Sequence, residues 1–99
     1  MVKKNDYSPE APKTFVEKVE YVFEKTKKYL TKDDVEIIND LIIHGESDVA
    51  FEILIDQLSE YSPPITLELY NLIVEICHYL KSRESSLGHF KNLVIKNEL

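Results

Sequence analysis

Ninety-nine residues, 43% of them hydrophobic and 30% charged, make one soluble globular domain, too small for both a core and a deep substrate cavity. The net charge of −6 is uneven: residues 1–30 hold seven lysines and five acids, residues 31–80 one lysine and eleven acids, and residues 81–99 four basic residues and two acids. The middle segment therefore repels phosphates, which argues against a nucleic-acid binder and for a basic protein partner.

Residues 1–10 are polar, contain Pro9 and have no apolar period, so they read as a disordered N-terminal arm. Residues 11–99 read as a single helical domain. A first helix is expected over 12–30, with Pro12 in its first turn and Phe15, Val16, Val19, Val22, Phe23 and Leu30 at helical spacing on one face. Thr31 has the chemistry of an N-cap, followed by Asp33 and Asp34 in a first turn close to the capping-box pattern. That second helix carries Val35, Ile38, Leu41 and Ile42 inward and ends near His44, where Gly45 suits a left-handed stop. A third helix opens at Glu46 or Ser47 and runs to about Tyr61, with Ala50, Phe51, Leu54, Ile55 and Leu58 on its inner face. Pro63 and Pro64 end it.

Thr66 caps a fourth helix, to about Lys81, in which Glu68, Asn71, Glu75 and His78 form a narrow polar stripe on an otherwise apolar cylinder. Such a helix is expected to be the central one, covered by its neighbours. Residues 82–86 read as a loop, and 87–96 as a short helix packing Phe90, Leu93 and Val94 inward. The expected fold class is all-α, a compact bundle of four main helices plus a short C-terminal helix, with short connections favouring antiparallel neighbours. No second copy of any helix pair recurs at a fixed period, so a solenoid is not expected.

No apolar segment follows Lys3 and Lys4, and apolar runs reach only three residues, as at 53–55, against the roughly 20 a membrane span needs. The single cysteine, Cys77, cannot pair within the chain and suits a reducing compartment. A cytoplasmic protein without a membrane partner is expected. Catalytic residues, metal ligands and cofactors are expected to be absent. With only Gly45 and Gly88 there is no phosphate loop or nucleophile elbow, and Cys77 and His78, adjacent on a helix, point about 100° apart. A small-molecule substrate is not expected either.

The sharpest feature is a row of carboxylates on the third helix: Asp48, Glu52, Asp56 and Glu60, at strict four-residue intervals. Each step turns the helix by about 400°, so the row drifts about 40° per turn. Almost no lysine lies three or four residues away to neutralise it. Either it is a solvated face, or it meets a basic protein surface, with Glu52 and Asp56 at the centre of the contact. Asp40, with Asp33, Asp34 and Glu36, widens the acidic patch from the second helix. Tyr61 and Tyr70, on either side of the 62–65 turn, are candidate aromatic anchors or, equally, core-edge residues with wet hydroxyls.

The segment His44, Gly45, Glu46, then Ala50, Glu52, Leu54, Asp56, Leu58 and Glu60, followed by Pro64, Ile65, Tyr70 and Ile73, resembles small helical immunity proteins of the MafI kind. Related proteins serve contact-dependent growth inhibition systems. The resemblance covers residues 35–80 and implies a cytoplasmic antidote that binds the C-terminal toxin domain of its own system, often a nuclease with a basic active-site surface. The alternative from another class is a non-catalytic helical adaptor or regulatory interaction module.

Overall fold

The computed structural model describes residues 11–95. The arm expected at 1–10 and the end of the last expected helix, Lys96, lie outside the described residues.

The first helix, α1, spans Phe15–Thr26 and does not start at Pro12. Thr14 sets the boundary. Its Oγ accepts the Glu17 N–H at 3.0 Å while Glu17 Oε1 accepts the Thr14 N–H at 3.2 Å, a reciprocal capping box. At the other end the buried Thr26 hydroxyl donates to the Val22 carbonyl at 2.7 Å, and the chain tightens into a 3-10 turn over Lys27–Tyr29. Val16, expected inside, is 43% exposed; the buried face is Val19, Val22 and Phe23.

The second helix, α2, spans Lys32–Ile43, and Thr31 with Asp34 closes the capping box expected there. Its C-terminus is a Schellman motif. The Glu46 N–H donates to the Leu41 carbonyl at 2.8 Å and the Gly45 N–H to Ile42 at 3.1 Å. Gly45 supplies the required positive φ of 80°.

The third helix, α3, spans Ser47–Tyr61 and ends where Ser62 turns left-handed ahead of Pro63. The fourth, α4, spans Leu67–Leu80, capped by Thr66 Oγ, which accepts the Leu69 N–H at 3.1 Å. Lys81 and Arg83 both have positive φ, and the stretch expected as loop carries a 3-10 turn, Glu84–Ser86. The last helix, α5, is short, Leu87–Asn92. After it the chain returns to the turn between α3 and α4. The Ile65 N–H donates to the Leu93 carbonyl at 3.1 Å and the Ile95 N–H to the Ile65 carbonyl at 2.8 Å. This isolated parallel bridge, Ile65 with Val94, is the one β-type pairing among the described residues.

The fold is all-α: a compact globule of four main helices and a short C-terminal one. α3 lies against both α2 and α1, whereas α4 packs mainly on α1 and on the C-terminal turns. α3 buries more side chains than the more apolar α4. On α3, Ala50, Phe51, Leu54, Ile55 and Leu58 are fully buried, and each of the four large side chains contributes about 1.5–3 kcal/mol by leaving water. α4 buries Leu69, Ile73, Ile76 and Cys77 but leaves Leu67 and Tyr79 more than half exposed. Hydrophobicity around a helix misleads here because Leu67 and Tyr79 lie on a side of α4 that no other helix covers fully. An ion pair between Lys18 and Glu75 ties its polar stripe to α1.

Candidate functional site

The four carboxylates of α3 share one side of the helix but not one environment. Asp48 lies in the first turn, favoured by the positive end of the helix dipole, and its Oδ1 accepts the Val49 N–H at 2.9 Å. Glu52 is half-buried and accepts the Ser82 hydroxyl at 2.7 Å. Asp56 receives both ends of a guanidinium fork, Arg83 Nε at 2.7 Å and Nη2 at 3.0 Å. That hydrogen bond to Asp56 raises the affinity of Arg83 for its proton and keeps it charged. Glu60 is exposed and makes no ion pair among the described residues.

The row nevertheless gains a neutralising cation at its middle. Lysines at helical spacing are missing, but the chain's single arginine arrives from the connection after α4, 27 positions away in sequence. Two consecutive members of the row are held by the adjacent residues Ser82 and Arg83. Their left-handed neighbours, Lys81 at φ 55° and Arg83 itself at φ 61°, bend the backbone back over α3.

Asp34 of α2 lies at the seam with α3. Its carboxylate accepts Tyr61 Oη–H at 2.9 Å, Gln57 Nε2–H at 3.0 Å and the Thr31 N–H at 3.2 Å. Partial burial pushes this carboxyl up, but the hydrogen bonds from Tyr61, Thr31 and Gln57 together outweigh it and hold the group below the usual carboxylate range. The same bond to Asp34 pushes the Tyr61 phenol up. Tyr61 is 39% exposed, with its hydroxyl committed inside the chain.

Tyr70 does not join this group. It is half-buried and lines a shallow groove of about 330 Å³ with Leu67, Lys91, Val94 and Ile95. Asp40 is exposed, 3.4 Å from His44 Nδ1, and that imidazole nitrogen donates to the Asp40 carbonyl at 2.8 Å. Asp33 and Glu36 are exposed and unpaired among the described residues. Of the seven sequence candidates, Glu52 and Asp56 are held by the 81–84 connection, Tyr61 lies at the α2–α3 seam, Asp40, Asp48 and Glu60 are exposed on these two helices, and Tyr70 sits elsewhere.

Sequence reasoning missed Ser82, Arg83 and Gln57. Arg83 left one usable signal, its isolation as the only arginine in a chain that otherwise uses lysine, since bidentate carboxylate pairing favours the guanidinium fork. Among the described residues no group of three or more His, Cys, Asp or Glu side chains is placed to hold a metal ion, and no helix is long and apolar enough to cross a membrane. Cys77 is buried within α4. No model of a known protein family matches the chain, and neither a curated protein nor a solved structure does.

Proposed function

We propose that this chain is an immunity protein, a non-catalytic antidote that binds the toxin domain of its own system through the acidic side of the α2–α3 hairpin. The observation that supports this most is the charge map. Across residues 31–80 the only lysine or arginine is Lys32, and Asp33, Glu36 and Glu60 stand exposed without a partner among the described residues. A surface of that kind attracts a basic protein, steers its approach and repels nucleic acid. The resemblance over residues 35–80 supplies the class of partner, a toxin domain with a basic active-site cleft.

The test is co-expression with the product of the adjacent gene. Growth should be rescued, and the two proteins should co-purify. Titrating the toxin's activity against this chain should break near one equivalent, as for a standard-size interface that occludes or distorts an active site. Inactivation that continues at strongly substoichiometric amounts overturns the binding model. A stable complex with a partner that is not toxic moves the chain to the adaptor class.

A further inference from the structure

The hydrogen bonds of Asp34 fix how α2 and α3 are rotated and aligned. Because Asp34 reaches Gln57 and Tyr61, the seam between the helices runs along those residues. Stepping 100° and about 1.5 Å per residue from that anchor places Ile37 on the outer side of α2, level with Ile53 on α3. Val49 follows one turn toward the Gly45 end. Ile37 is 51% exposed and Val49 37%, while Ile53 is half-buried against the core. The same rotation puts Asp33 and Asp40 on the far edge of this strip and Asp56 and Glu60 on the near edge. The four-residue drift of the carboxylate row carries Asp48 and Glu52 off it, toward Ser82.

We infer that the partner docks on this strip, seating a nonpolar side chain over Ile37, Ile53 and Val49 while its basic side chains meet Asp33, Asp40 and Glu60. This rests on the binding reading above and narrows it to one face. The occupant follows from charge complementarity: an apolar centre rimmed by carboxylates, of which Asp33 and Glu60 carry no ion pair among the described residues, fits a basic protein surface bearing an aliphatic or aromatic projection. Three other exposed apolar groups lie beside cations instead. Leu67 and Ile95 border Lys91, and Tyr79 stacks on Phe15 at 5.1 Å beside Lys18.

Two probes test the assignment. The first is the product of the adjacent gene. Ile37→Ser should weaken its binding roughly tenfold, the scale of a central anchor residue. The double change Asp33→Asn with Asp40→Asn should slow association and flatten its salt dependence. Leu67→Ser, Tyr79→Ser and Glu52→Gln should leave binding within about twofold, below the level of ordinary surface effects. Circular dichroism of each variant checks that the fold is kept. The second probe is a pair of synthetic basic helical peptides of equal arginine content, one carrying leucines and the other serines on its second face. Only the leucine peptide should perturb the amide resonances of Ile37, Val49 and Ile53.

If the gene product binds but ignores Ile37→Ser and responds to Leu67→Ser or Glu52→Gln, the face is wrong and the immunity reading stands. If the gene product does not bind while the leucine peptide still maps to the strip, the immunity reading falls and the docking face stands. Equal binding of the two peptides, or shifts confined to the Leu67–Ile95 groove, overturns the face.

Discussion

Asp34 accepts hydrogen bonds from Thr31, Gln57 and Tyr61, so one carboxylate closes the cap of α2 and pins that helix to α3. Its proton affinity is lowered in the folded state, so it stabilises the fold above the ordinary carboxylate range, near pH 4, and that contribution disappears as pH falls through the lower folded value. Asp34→Asn should therefore be destabilising at neutral pH, with the gap to the unmodified protein closing below about pH 4. Urea midpoints of both proteins across that range check it. A gap that stays constant would mean the amide loses only geometry and not charge. The sequence marked Asp34 as a cap residue. It did not reveal the second role, because Gln57 and Tyr61 are more than 20 positions away and approach only when the hairpin closes.

Helices were legible wherever a local signal fixed them. Thr31, Gly45 and Thr66 act within one turn, and all three do what their chemistry implies. Pro12 misled because the Thr14–Glu17 box, three residues apart, is the stronger start signal. The rank order of burial between α3 and α4 was not legible, since it depends on which helices neighbour each, a tertiary matter. Leu54→Ala and Ile73→Ala remove fully buried side chains from these two helices, and each should cost about 2–5 kcal/mol in chemical denaturation. A loss below about 1 kcal/mol would show that the site collapses to fill its cavity. At the end of α4, Lys81 holds a left-handed backbone that glycine adopts without a Cβ penalty. Lys81→Gly should be neutral or stabilising by up to about 1 kcal/mol, whereas Lys81→Val should destabilise. A destabilising glycine would mean that the lysine side chain outweighs its backbone strain.

Charge organises the whole molecule more than shape does. Acidic α2 and α3 form one side, and the net basic charge lies in residues 1–30, mostly outside α1, and beyond residue 80. Association with a basic partner should slow as salt rises toward physiological strength, where screening extends over only about 8 Å. Glu60→Gln should lower the association rate and leave dissociation nearly unchanged. Asp56→Asn should act on stability, because it leaves the Arg83 fork one neutral oxygen in place of a bidentate carboxylate. Stopped-flow rates at two ionic strengths separate these outcomes. If Asp56→Asn instead dominates dissociation, the partner takes the carboxylate from Arg83. The row was visible in the sequence as a row, but its division was not, since Ser82 and Arg83 reach it only through a left-handed bend that no local motif announces.

Cys77 gives the protein an internal clock. Its side chain is fully buried, and loss of solvent, followed by the nearby charge of Glu84, pushes the thiol up to about 11. A thiol held protonated and out of reach is modified only when the helix around it opens. The rate at which a thiol reagent labels this chain at neutral pH therefore counts openings. When labelling is slow relative to reclosing, that rate follows the population of the open form. Anything that binds the closed form should suppress labelling by the factor 1 + [L]/Kd, about a hundredfold at one hundred times Kd. Slowed labelling would thus report capture of a partner whose own activity is still unknown, with no substitution introduced. A labelling rate indifferent to a partner that co-purifies would place Cys77 in a locally opening segment, separate from the unit that binding holds shut.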